Sequence, residues 1–82
     1  MGLRKLAQKV ADYQKRLEAG KARTIEPEHV EKVLDKLRRK DAELLARIAT
    51  EADPEARAEL DRKLRVAREH IERAKWLLAE MS

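Results

Sequence analysis

The sequence predicts an all-α fold: an antiparallel, coiled-coil-like helical hairpin with a shorter N-terminal helix beside it, forming an up-down-up three-helix bundle. Three observations carry this expectation. Ala, Leu, Glu, Lys and Arg supply 55 of the 82 residues, a composition that favours long helices over a mixed fold. Apolar residues recur at alternating spacings of four and three through most of the chain, the signature of helices packed at a shallow angle. Proline and glycine are confined to positions where helices start or stop. Eighty-two residues make a single domain, 1–82, with a modest core.

The first helix runs from about residue 3 to 19. Leu3, Leu6, Val10, Tyr13 and Leu17 are spaced three, four, three, four along one face. Gly20 is placed to end it in a left-handed conformation. A basic loop from Lys21 to Ile25 follows. The second helix runs from about 27 to 52, with Glu26 as its cap and Pro27 at its first position. Ile25 and Val30 have the spacing of a hydrophobic staple across that start. Asp53 and Pro54 repeat the start signal for a third helix, about 54 to 81.

In the second helix Val30, Leu34, Leu37, Asp41, Leu44 and Ile48 form a seam. In the third, Leu60, Leu64, Ala67, Ile71, Ala74, Leu78 and Met81 do the same. A tight turn at Asp53-Pro54 makes the two antiparallel, so facing residues sum to about 108. Ile48 then meets Leu60, Leu44 meets Leu64, Asp41 meets Ala67, Leu37 meets Ile71, Leu34 meets Ala74 and Val30 meets Leu78. The two alanine layers are underfilled. The first helix can fill them, with Tyr13 near Leu34/Ala74 and Leu6 near Asp41/Ala67. That helix is about 25 Å long and each hairpin arm about 40 Å, at 1.5 Å per residue. The hinge end should therefore lack a third helix and invite self-association through Leu45, Ile48, Ala49 and Leu60.

Asp41 is the polar residue of the seam. Its carboxylate is expected to lean to the rim and meet Lys63 or Arg38. The alternative is a device that sets register or oligomeric state. Val66, His70 and Leu77 form a second stripe on the third helix. They are expected to contact the first helix, or else to form a dimer surface. Trp76 points away from the seam, either as a lone exposed side chain or as an interface anchor.

Charge is unevenly distributed. Arg4, Lys5, Lys9, Lys15, Arg16, Lys21 and Arg23 face only Asp12 and Glu18 within residues 1–23, a net charge of +5, against a whole-chain charge of +4. These seven cations are candidates for binding a polyanion, nucleic acid in particular. No groove-reading motif accompanies them.

Chemistry has little to work with. The chain has no cysteine, hence no disulfide and no thiolate. Its hydroxyls are Tyr13, Thr24, Thr50 and Ser82, none set beside a base in the manner of a nucleophile. Glu26-Pro-Glu-His29 has the Glu-x-x-His spacing of carboxylate-bridged metal bundles, but the second motif such sites require is missing. His29 and His70 are expected on helix surfaces. The expectation is a non-enzyme without cofactor, metal or small-molecule substrate. Nothing resembles a secretory signal or a membrane span, which makes a cytoplasmic location the default. Clean heptads and a narrow alphabet are also features of idealised designed bundles, whereas the Ala19–Ile25 connection and the uneven charge are less typical of design.

The leading functional expectation is a helical protein–protein interaction or oligomerisation module. The second is a nucleic-acid-binding accessory protein that uses the basic first helix and the loop after it.

Overall fold

The computed structural model describes residues 2–81 as three α helices and one short 3-10 turn. Helix α1 spans Leu3–Glu18, α2 spans Pro27–Thr50 and α3 spans Pro54–Met81, with the 3-10 turn at Ala22–Thr24. The molecule is elongated, 47 × 19 × 18 Å. Helices α2 and α3 pack along one another, and α1 lies against both.

Each boundary has a local cause. Helix α1 ends at Glu18, a residue earlier than its pattern, in a paired-bond terminus. The Lys21 amide donates to the Arg16 carbonyl at 2.8 Å and the Gly20 amide to the Leu17 carbonyl at 3.1 Å. This geometry needs a left-handed residue between them, and Gly20 has φ of 75°. The expected open loop after it instead winds into the 3-10 turn. Thr24 locks that turn by donating its hydroxyl to the Lys21 carbonyl at 2.7 Å. Arg16 ties the turn back to α1 by donating to the Thr24 carbonyl at 3.3 Å.

At the start of α2 the Glu26 carbonyl accepts from the His29 and Val30 amides. Ile25 and Val30 are both buried in the same cluster, as a staple requires. Helix α2 stops at Thr50, two residues short of the expected end. Glu51 adopts an extended backbone, and Asp53 precedes a proline, which disfavours helical geometry there. The Asp53 amide donates to the Glu51 side chain at 3.1 Å, and the Asp53 carbonyl accepts from Arg57 as α3 begins.

The core divides into two clusters. Around α1, Leu6, Val10 and Tyr13 pack with Ile25, Val30, Val33, Leu34 and Leu37 of the next segment and with Ile71, Ala74 and Leu77 of α3. Towards the hinge, Leu44, Leu60, Leu64 and Ala67 form a cluster of α2 and α3 alone. Leu3 packs against both. Burying an aliphatic side chain of this size contributes about 1.5–3 kcal/mol, so each cluster matters to so small a chain.

Three details depart from the expected layers. Leu6 belongs to the α1 cluster with Leu37 and Ile71, and Leu3 reaches the cluster that holds Ala67. Leu77 is fully buried while Leu78 and Met81 are only partly so. Val33, outside the expected seam, is 3% exposed. A two-helix seam puts the centre of burial on the line between α2 and α3. Helix α1 widens the buried arc of both partners towards itself, and Val33 and Leu77 lie on that flank.

Asp41 sits at the rim, as expected, but its partner is Arg68 and not Lys63 or Arg38. The Arg68 Nε donates to the carboxylate at 2.9 Å. That hydrogen bond, with the Asp41 charge, raises the guanidinium pKa above its ordinary value. The Asp41 side chain keeps 19% of its surface exposed, so it is neither isolated nor fully desolvated.

Two outcomes follow. Space around Gly20 is open, so Gly20→Ala meets only the backbone penalty of a left-handed residue and lowers stability by about 1 kcal/mol, with Gly20→Asn close to wild type in urea denaturation. Asp41→Leu raises the urea midpoint without changing the molar mass in light scattering, because apolar contact in the seam outweighs a rim ion pair.

Candidate polyanion interface

Helix α1 runs antiparallel to α2, and a shallow track follows their junction. Its upper part is lined by Lys5, Gln8, Lys9, Asp12, Tyr13, Arg16 and His29. Lys9, Tyr13 and His29 continue into a second hollow completed by Lys32, Val33 and Lys36. Lys36 then opens onto a third with Arg39, Lys40 and Glu43. Buried Val10 and Tyr13 on α1 and Val30 and Val33 on α2 hold the two helices together. That packing sets Lys5 and Lys9 on the near flank of α1 and the lysines of α2 across from them.

Lys32, Lys36 and Lys40 follow one another at four-residue intervals, so they form a row on one face of α2 about 6 Å apart. Among the described residues, no ion pair engages Lys5, Lys9, Lys32 or Lys36. Several carboxylates nearby are engaged by other partners, while among the described residues Glu28, one turn before Lys32, is not. Asp12 pairs with Arg16 at 2.9 Å, Glu26 with His29 at 3.1 Å and Asp35 with Arg39 at 3.1 Å. Glu43 reaches Lys40 at 3.8 Å. The track thus carries an excess of positive charge over a floor that includes the ring of Tyr13.

The seven sequence-nominated cations do not act together. Lys5, Lys9 and Arg16 line the track. Arg4 lies in a different groove, with Leu3, Lys63 and Val66. Lys15, Lys21 and Arg23 are exposed and line none of these hollows. Arg16 is occupied by Asp12 and by the Thr24 carbonyl. The α2 lysines do not stand out in the charge balance of the sequence, because acidic residues of the hairpin offset them in sum. The signal was there in the Lys32, Lys36, Lys40 spacing beside the apolar Val33.

The apolar interface candidates separate as well. Leu60 and Leu77 are core residues, 6% and 0% exposed, and offer no surface to a partner. Two helices and their own side chains are enough to cover Leu60, and α1 accounts for Leu77. Leu45, Val66 and Trp76 remain exposed at 44%, 41% and 45%. Ala49 is exposed and Ile48 half-buried. Trp76 lies ten residues, about 15 Å, along α3 from Val66. Leu45 follows Asp41 by one turn and so shares the flank of the Asp41–Arg68 pair. These side chains do not form one patch.

Of the histidines, His29 bonds Glu26 locally, which accounts for the Glu-x-x-His spacing. Among the described residues no group of three or more metal-ligating side chains gathers in one place. No helix among them is long and apolar enough to cross a membrane. His70 is half-buried and its Nδ1 has no hydrogen-bond partner. Burial, then the charge of Arg73, lowers its pKa below the usual value, and Glu69 opposes weakly. Compared with models of known protein families, with curated proteins and with solved structures, the chain matches none.

The His70 shift has a thermodynamic consequence. The unfolded chain takes up the proton first as pH falls through the ordinary histidine value of about 6.5, whereas the folded chain resists it. Stability is therefore intact above that value and declines below it. Urea titrations between about pH 7.5 and 5 should show that decline, and His70→Gln should flatten it.

Proposed function

We propose that the chain is a non-catalytic helical binding module that docks onto the phosphate backbone of nucleic acid through the α1/α2 track. The observation that carries this reading is the set of four lysines, Lys5, Lys9, Lys32 and Lys36, drawn from two helices onto one track with no carboxylate pairing them. A row of ammonium groups about 6 Å apart is a point-charge array suited to successive phosphates, and binding of this kind is governed by release of counterions. No recognition helix projects from the bundle as in groove-reading folds, so the expected mode is sequence-tolerant. Tyr13, at 9% exposed, is part of the floor and is too covered to stack on a base.

Self-association through an apolar hinge end has less to support it. The buried hinge cluster belongs to α2 and α3 with Leu3 of α1 at its edge, and the exposed apolar side chains are scattered. The helical protein-interaction reading keeps a specific footing in a different groove, described below.

The test is salt-dependent binding to a duplex DNA of arbitrary sequence, read by fluorescence anisotropy. Neutralising about four phosphates gives a slope of log K against log salt of about −3.6. Lys32→Glu with Lys36→Glu should abolish binding at moderate salt, although both residues lie in the hairpin rather than the basic first helix. Lys15→Glu with Arg23→Glu, an equal change in net charge, should weaken it far less. Equal losses from both pairs would leave only net charge as the cause and overturn the assignment of a site.

A further inference from the structure

A second groove lies where α1 begins. Leu3 and Ala7 of α1 and Val66 of α3 make an apolar floor over the buried Leu44 of α2, and Arg4, Lys40 and Lys63 stand around it. No ion pair engages Arg4 or Lys63 among the described residues, and Lys40 has only a long contact to Glu43, at 3.8 Å.

The groove is the open end of an interrupted layer. Helix α1 has 16 residues against 24 in α2 and 28 in α3. Beyond Gly2 and Leu3, among the described residues, only α2 and α3 continue to the hinge. From Val66 back to Pro54 is twelve residues, or about 18 Å of helix, room for roughly three turns.

We infer that this groove docks an amphipathic, acidic helix of a protein partner, which extends the line of α1 towards the hinge. The apolar floor selects a helix with a hydrophobic stripe, since phosphate gains nothing from Leu3, Ala7 or Val66. The three cations select acidic residues beside that stripe. A second copy of the chain, at net charge +4, brings like charge to the cationic rim. The α1 end adds to the preference: Gly2 offers no side-chain cap and the first turn holds no acidic residue, so a partner carboxylate there has no internal competitor. The site is independent of the phosphate track except for Lys40, which borders both.

The probe is a labelled synthetic peptide of about three heptads, Leu at the two seam positions and Glu and Ala elsewhere, titrated with the full chain and read by anisotropy. Saturable binding is expected, with no binding of the same peptide carrying Lys for Glu. Val66→Glu and Lys63→Glu alter exposed side chains, and circular dichroism should show both folded. Each should weaken the acidic peptide by about tenfold or more. Lys32→Glu with Lys36→Glu should leave it within about twofold, while DNA binding is lost, so the two sites fail separately. The inference is overturned if the acidic and basic peptides bind alike, or if neither binds. Insensitivity of peptide binding to Val66→Glu and Lys63→Glu overturns it too. So does a dimer in sedimentation that Val66→Glu dissolves, since a second copy is then the occupant. Val66-dependent capture by anionic vesicles without peptide binding overturns it in favour of a lipid surface.

Discussion

Three residues, Glu51 to Asp53, separate α2 from α3, and that brevity constrains everything else. A connection so short returns the chain alongside itself. Antiparallel pairing then brings the seam of one helix onto the seam of the other, and fifteen apolar side chains end below a tenth exposed. The hinge achieves this without glycine. The Glu51 side chain takes the Asp53 amide, Asp53 is held extended by the proline after it, and Pro54 enters α3 where no amide is required. The sharp turn is thus a product of where proline stands, and the long-range packing is a product of the turn.

What the hairpin cannot do alone is present two clefts. A pair of helices has flanks but no enclosed junction, and α1 creates both surfaces by lying on one flank. Along its length it makes the cationic track with α2. At its start it ends over the apolar floor formed by Leu44 and Val66. The connection that places it is built from Gly20, whose left-handed backbone reverses the chain, and from Arg16 and Thr24, which bind the 3-10 turn to the helix before it. Arg16 is therefore better understood as a brace than as a free cation, although its position in a basic run first suggests the opposite.

Much of the fold was legible in the sequence because its signals are local and periodic. Heptad spacing, a proline at each of two helix starts and a glycine after Glu18 are read residue by residue, and the helix ends moved by only one or two positions. The misses share a different cause. Val33 and Leu77 are buried by a third helix, so a seam drawn for two helices passes beside them. Arg68 reaches Asp41 from beside Ala67 in the expected layer, a choice between neighbouring cations that spacing does not make. The α2 lysines were overlooked because charge was summed along the chain, while electrostatic potential adds up in space. Lys36 lies beside Lys9 at 27 residues' separation in sequence, and no window over the sequence puts them together.

Helix length also shapes the hinge end. A hairpin arm of about 40 Å against a first helix of about 25 Å implies open apolar surface at the hinge. That surface is smaller than the mismatch suggests, because most of the hinge seam is buried. Leu44, Leu60 and Leu64 close over Ala67 at 1%, 6%, 5% and 0% exposure with only Leu3 and Ile48 packed at the edge. Ala67 is the small residue of that cluster, and Leu3 of α1 reaches its edge. What stays open is the shoulder at Val66, bordered by Arg4, Lys40 and Lys63. A floor of carbon ringed by cations differs in character from a bare apolar face. The mismatch in helix length therefore leaves a cation-bordered shoulder rather than a continuous apolar stripe.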